Sequence, residues 1–440
     1  MKHSNTRIVR QVDWFRSLML FMGMIALLTA CGGGAPTSGG GLNTGSNGSS
    51  ANEIKIGVLA TFTGAFAVDG QDALRGVKMA VAEFGGKIGN KKIVLVTESS
   101  DATPAVARDA ARKLIEQDNV DILVGPLSGD EGLAVRDYAK TKPNKVFLNG
   151  SSGAQDTTLR NPAPNFYRFS TDGTQWMAGL GDYVYQTQGY KRVAVLAEDY
   201  SFPYSQVGGF MTEFCRDGGH VVKKFWVPIG TTDYSSVVSS MPTNIDAIYV
   251  ALGGSDSINF LKQYVQFGGK AKIIGGTVTV DQTVLSTKGT LYQHVLGVAS
   301  SGPIADNNPD PAWQKFVQQY KSMFPDGFPS PSLFAHAYYV NAKAALLGLQ
   351  KVNGDLSNGE AKLKQVLSTL QFDTPTGPVR LDHNRNAIAN IFVTVVDKKP
   401  DGTLYNKLVK VVTNVNQTLG IPEDQYLKMG PFSRDNPSCP

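Results

Sequence analysis

The sequence predicts an α/β protein built as two successive lobes, each a parallel sheet covered on both faces by helices. Three observations carry this. Short β-branched runs alternate with amphipathic stretches from Ile54 onward, the pattern of strand-helix-strand units. The same rhythm restarts after Arg168. The chain that remains after a low-complexity N-terminal region exceeds what one core usually supports, about 250–300 residues.

The N-terminal region stands apart from the fold. Lys2, Arg7, Arg10 and Arg16 precede the apolar run Leu18 to Leu28, which is short for a membrane span. The run ends in Leu28-Thr29-Ala30-Cys31, which resembles the lipobox of bacterial lipoproteins. That resemblance implies a signal peptide over residues 1–30 and a lipid on Cys31, the alternative being an uncleaved anchor. Gly32 to Ser50 holds almost only Gly, Ser, Asn, Thr and Ala, so residues 31–52 read as a flexible tether. Folding is expected from Glu53.

In the first lobe, strands are predicted over Ile54–Leu59, Ile93–Thr97, Val120–Val124 and Val146–Leu148. The helical stripes Leu74, Val77, Val81, Phe84 and Ala107, Ala111, Leu114 lie between them. In the second, strands are predicted over Val193–Ala197, Val221–Val227, Ala247–Leu252 and Ile273–Ile274, with helices near Gln175–Gln186, Ser205–Arg216 and Ser257–Phe267. Pro311–Met323 and Ser332–Leu349 read as helices. Of the adjacent Tyr338 and Tyr339, one should face the core and the other the cleft or solvent. The final strands, Val379–Leu381, Ile391–Val396 and Leu404–Val412, are separated by Asp-His-Asn-Arg-Asn and Lys-Pro-Asp-Gly, both turn signals.

Charge and composition exclude some functions. The formal charge is +5; the leader's four cations and Asp13 account for +3, leaving +2. Charges of both signs are interspersed, which is no nucleic-acid footprint. Five histidines show no metal-ligand spacing or nucleophile motif, and Gly85-Gly86-Lys87 and Gly253-Gly254-Ser255 lack the full phosphate-loop pattern. No catalytic residue, metal or cofactor is therefore predicted. With Cys31 assigned to lipid, Cys215 and Cys439 remain. In an oxidising compartment an even pair suggests a disulfide clamping the tail; the alternative is two free thiols.

A ligand cleft is expected between the lobes, because open parallel sheets bind beyond the carboxyl ends of their strands. Two strand exits offer hydroxyls and free amides suited to a carboxylate, Val124-Gly125-Pro126-Leu127-Ser128-Gly129-Asp130 and Phe147-Leu148-Asn149-Gly150-Ser151-Ser152-Gly153. Taken alone, Ser128 reads more readily as a helix cap than as a ligand group.

The run Ile56-Gly57-Val58-Leu59-Ala60-Thr61-Phe62-Thr63-Gly64, then Gly70 to Ala82, Asp101, Pro104, the two exits, Glu198-Asp199-Tyr200-Ser201-Phe202, Asp246 to Leu252, Ser257 to Gly268 and Gly377-Pro378-Val379 resembles the branched-chain amino-acid binding family, the type I periplasmic binding proteins of ABC importers. The resemblance spans Glu53 to about Val412. It implies two Rossmann-like lobes, residues 53–170 plus 302–376 and 171–301 plus 377–420, with a tail over 421–440. The crossovers would lie near Ser170–Thr171, Ser300–Pro303 and Thr376–Leu381. It implies a monomer that closes on its ligand and delivers it to ABC permease subunits. Carried onto this chain, Ser128, Gly129, Gly150 and Ser152 would hold the ligand carboxylate and Phe202 would cover it. Asp69 stands where the family often has an aromatic, with Phe66 beside it.

The departures bear on specificity. The family's acidic partner for an α-ammonium, and the aromatic that assists it, fall on Thr277 and on Gly253 or Gly254. Either Asp69, Asp256 or Asp281 supplies the charge, or the ligand has no ammonium, as in family members that take aromatic acids. Each acid also has a structural reading, as helix cap for Asp256 and Asp281 and as turn residue for Asp69. A sensing lipoprotein partnering a membrane receptor is the alternative function; no apolar run of about 18 residues follows Cys31.

Overall fold

The computed structural model describes residues 52–287, 289 and 292–439. The expected leader, the lipid site at Cys31 and the tether to residue 51 lie outside them. Among the described residues no helix is long and apolar enough to cross a membrane.

The first sheet holds β1 (Glu53–Thr61), β2 (Lys87–Ile88), β3 (Lys91–Ser100), β4 (Ile122–Val124), β5 (Val146–Leu148) and β6 (Phe166–Tyr167). Their order is β2-β3-β1-β4-β5-β6, parallel throughout except for the β2–β3 hairpin. Helices α1 (Ala67–Glu83), α2 (Pro104–Glu116) and α3 (Gly129–Lys140) connect it. Central strands β4 and β5 are buried at every position, as a sheet covered on both faces requires.

The second sheet holds β7 (Arg192–Glu198), β8 (His220–Val227), β9 (Ala247–Ala251), β10 (Lys272–Gly275), β11 (Ala299–Gly302), β12 (Gln371–Thr374), β13 (Gly377–Leu381), β14 (Ala387–Lys398) and β15 (Leu404–Val415). The order is β12-β13-β14-β11-β10-β9-β7-β8, with β15 also paired to β14. The strands from β8 to β11 are parallel and the later ones antiparallel. Both predicted turns join the strands around β14.

Four expectations need correction. Ser300 to Gly302 belong to β11, so the second crossover begins after them; Ala-Ser-Ser-Gly has little strand propensity, and its position between β10 and β14 overrides that. Gln371–Thr374, expected within the first lobe, pairs with β13, so the chain has returned to the second sheet before Thr376. The helix expected over Gln175–Gln186 is instead a 3-10 turn, a short α turn and a π turn. It breaks at Gly179, whose φ of 80° is left-handed, and Glu213 accepts the Gly179 and Gly181 N–H groups there. Finally, Tyr338 and Tyr339 are both buried. The Tyr338 hydroxyl donates to the Leu59 carbonyl at 2.7 Å, while Tyr339 packs under Phe316 and bonds Glu83.

Helix Leu333–Lys351 lies against α1 with no space between backbones: a Cβ on Gly76 would come within 2.0 Å of the Ala335 carbonyl oxygen. The structure joins Cys215 to Cys439, with Cα atoms 5.6 Å apart. It seats the Phe432 ring on Gly208, which fixes the tail to helix Ser201–Arg216.

Where the chain first leaves the first sheet, a fully buried arginine organises the crossing. Arg168 donates to the carbonyls of Ser152 (3.3 Å), Ala154 (2.7 Å) and Gln155 (3.2 Å), to Thr158 and Asn386 (both 2.5 Å), and to Asp172 (3.3 Å). Asp172 also accepts from the Gln175 N–H and the Gln417 amide.

Candidate functional site

The strand exits of the two sheets meet over a narrow cavity, closed tightly enough to leave only a small void between its walls. Phe66, Asp69, Leu127, Ser128, Ser151 and Gly153 form the wall on the side of the first sheet, and Trp176, Tyr200, Phe202, Gly253 and Val278 form most of the other. Phe334 completes it.

The exits are in contact. The Ser201 N–H donates to Asp130 at 3.1 Å, and the Gln155 N–H donates to the Ser205 hydroxyl at 3.0 Å. Glycines allow this approach: a Cβ on Gly129 would meet the Phe202 backbone nitrogen at 2.7 Å, and one on Gly254 the Ala65 carbonyl oxygen at 2.2 Å.

Ser128 caps α3. Its N–H donates to Glu131 at 2.8 Å, its hydroxyl lies 3.4 Å from the Ala102 carbonyl, and Glu131 also accepts the Ala102 N–H. Cap and cavity wall therefore coincide in this residue. Of the second exit, Ser151 and Gly153 reach the wall rather than Gly150 and Ser152. Gly150 lies under the Tyr338 ring, where a Cβ would come within 2.3 Å. The Ser152 hydroxyl turns to the Gly129 carbonyl at 3.5 Å, toward the body of α3.

On the opposite wall Phe202 sits edge-on to Trp176, ring centroids 5.5 Å apart, and Tyr200 lies between Phe202 and Phe66. Gly153 and Gly173 leave room for the Phe202 ring. Gly253 faces Phe66, and its N–H donates to Glu198 at 3.0 Å. Thr277 is not on the wall: its hydroxyl donates to the Ser301 carbonyl (2.6 Å) and accepts from Gln206 (2.8 Å), and Val278 faces the cavity instead. Asp256 turns away, accepting the Gly230 N–H at 2.6 Å. Asp281 caps a short helix and also accepts the Leu333 N–H.

Asp69 is different. It lies in the first turn of α1, which is pressed onto the end of β1 at Gly70, where a Cβ would be 1.8 Å from the Thr61 carbonyl oxygen. It is fully buried, and neither carboxylate oxygen has a hydrogen-bond partner. Burial first, then the nearby Asp281, push its pKa well above the usual carboxylate range; Thr283 is near enough to temper this but makes no hydrogen bond to it. Glu198, at the end of β7, is also fully buried, with Oε2 unpartnered. Burial raises its pKa strongly, the Gly253 N–H offsets part, and the charges of Asp256 and Asp69 add to the rise.

Sequence reasoning missed Trp176 and Phe334, which stand outside the recognised motifs, and Val278, which adjoins the Thr277 it named, while Ser151, Gly153, Tyr200 and Glu198 lay inside motifs but were not singled out.

Two α/β sheets closing their strand exits over one cavity define a two-lobed ligand-binding protein. Residues 53–402 match the family model for periplasmic binding proteins, and the chain belongs to that family. Its fold is that of the type I members, and the relatives it matches are solute-binding proteins rather than enzymes. Leu/Ile/Val-binding protein homolog 6 of Brucella melitensis is 25% identical over 365 residues, covering 82% of this chain and 92% of the relative. Among solved structures, an ABC transporter substrate-binding protein from Sphaerobacter thermophilus is 29% identical with a TM-score of 0.74, covering 83% of this chain and 99% of the other. An ABC-transporter solute binding protein from Rhodopseudomonas palustris BisB5, in complex with 3,4-dihydroxy benzoic acid, is 25% identical with a TM-score of 0.76 over the same shares.

Proposed function

We propose that this chain, anchored outside the cytoplasm by lipid on Cys31, captures a small carboxylate-bearing solute and presents it to ABC permease subunits. The observation that carries the reading is the cavity itself, walled by strand exits of both sheets and shut by contacts between them. In this reading the ligand carboxylate lies against Ser128, Ser151 and the first amides of α3, where a helix N-terminus favours an anion. Its body packs among Phe66, Trp176, Tyr200 and Phe202. The relatives named for Leu/Ile/Val and the relative holding 3,4-dihydroxy benzoic acid support the range from amino acids to aromatic acids.

A thermal-shift panel of amino acids and aromatic acids on the mature chain tests this. A ligand at about a hundred times its Kd should add about 2.7 kcal/mol to stability. The reading fails if no small carboxylate raises the melting temperature.

A further inference from the structure

This inference rests on the cavity being the solute site and asks what group the solute must carry. The described wall holds one carboxylate, Asp69, and no lysine, arginine or histidine. Asp69 is fully buried with both oxygens unpartnered, whereas buried carboxylates in folded proteins are paired or hydrogen-bonded. Its position is set by the direct seat of α1 on β1 at the neighbouring Gly70, where a Cβ would lie 1.8 Å from the Thr61 carbonyl oxygen. From the other sheet comes Glu198, whose Oε1 is held by the Gly253 N–H while Oε2 is free. Asp281 and Asp72 add negative charge around Asp69, and the Thr283 hydroxyl, which tempers it, brings no positive charge. Asp72 is itself engaged by Arg75, Ser332 and Tyr320.

A second anion placed in such a site, without a cation, would be repelled. An ammonium beside Asp69 instead supplies the missing donors and the missing charge together. We infer that Asp69 is the counter-charge for an ammonium group of the ligand. It thereby selects amine-bearing carboxylates over their amine-free counterparts. The specificity determinant then lies on α1, while Thr277 and Gly253 occupy the places where the resemblance puts the acid and its aromatic.

Calorimetry tests this with the common L-amino acids and amine-free acids, 4-methylpentanoate, 3-phenylpropanoate and 4-hydroxybenzoate among them, against the mature wild-type chain and Asp69→Asn. The expected result is an amine-bearing probe that binds wild type and loses about 30-fold or more in affinity in the variant, as loss of a buried charge partner does. Ligand-free Asp69→Asn should melt no lower than wild type, since a neutral amide replaces an unpartnered carboxylate; a clear fall in melting temperature would make Asp69 structural and overturn the assignment. Glu198→Gln, whose carbonyl can keep the Gly253 N–H, provides a second variant and should weaken the same probe less. Tight binding of an amine-free acid to wild type, or equal affinity of the amino acid for both proteins, overturns the inference while leaving solute capture intact. Failure of every probe rejects both together.

Discussion

Two regions bury a carboxylate completely and treat it in opposite ways. At the first crossing between sheets, Asp172 has Arg168 at 3.3 Å and accepts further hydrogen bonds from Gln175 and Gln417. In the cavity, neither oxygen of Asp69 has a hydrogen-bond partner and, among the described residues, no cation stands beside it, only the Thr283 hydroxyl tempering its charge. Both are fully buried, and burial raises both pKa values, but at Asp172 the guanidinium is the largest offset whereas at Asp69 the next contribution, Asp281, raises the pKa further. The crossing therefore pairs its carboxylate with a cation and hydrogen bonds from within the chain, whereas the cavity leaves its carboxylate unpaired. Asp281 lies between the extremes, with the N–H groups of Thr283 and Leu333 but no cation.

The largest effect should come from undoing the cluster at the crossing. Arg168→Met removes the guanidinium that donates to Asp172 and to the carbonyls of Ser152, Ala154 and Gln155, leaving a buried carboxylate without its cation. Breaking a buried pair in this way costs about 3–5 kcal/mol. Urea unfolding of the ligand-free protein would read the loss, and a cost below about 1 kcal/mol would mean that the cluster contributes little to the fold.

A pH series sharpens the intermediate case. Burial raises Asp281 from 3.8 to about 7, against the pull of its two backbone donors. Between those values the folded chain keeps a proton that the unfolded chain has released. This contribution to stability is fully present below about 4 and is lost as pH rises through about 7. Its slope is at most about 1.4 kcal/mol per pH unit. Asp281→Asn removes the titration, so stability of the variant should fall less between pH 5 and pH 7 than that of wild type. Glu213 and Glu360, also raised to about 7, titrate in both proteins and cancel in the difference. Parallel curves would show that Asp281 does not titrate there.

These regions were not equally legible in the sequence. The central strands and most long helices follow from periodicity: Val146–Leu148 and Pro311–Met323 are found with their predicted bounds. β6 and β11 were missed because short strands can be set by their neighbours alone, as Ala-Ser-Ser-Gly is between β10 and β14. In the cavity, Phe66, Asp69, Ser128, Phe202 and Gly253 line the wall, since a strand exit points its first residues into the cleft. Which of two successive serines faces inward was not legible. That depends on the Pro126 carbonyl, which accepts both the Ser151 and Ser152 N–H groups and sets the turn. Trp176 and Phe334 reach the cavity from a broken helical turn and from the start of a helix packed on α1, and no local pattern announces either.

The smallest expected effect separates those two serines. Ser151 lines the cavity, and its hydroxyl donates to the Leu127 carbonyl at 3.2 Å, which leaves its oxygen lone pairs and the adjoining wall available to a ligand. Ser152 is equally buried, but its hydroxyl is turned to the Gly129 carbonyl at 3.5 Å, and α3 is so close that a Cβ on Gly132 would stand 1.9 Å from it. Ser151→Ala should therefore weaken binding by about 1 kcal/mol, roughly fivefold, with the fold unchanged. Ser152→Ala should leave affinity alone and cost at most a fraction of that in stability, because a 3.5 Å contact is a poor hydrogen bond. Calorimetry on the two single variants, with whichever carboxylate the thermal-shift panel selects, decides between them. A loss confined to Ser152→Ala would show that the exit rearranges on binding and that the finished hydrogen bonds of this wall are broken to admit the ligand.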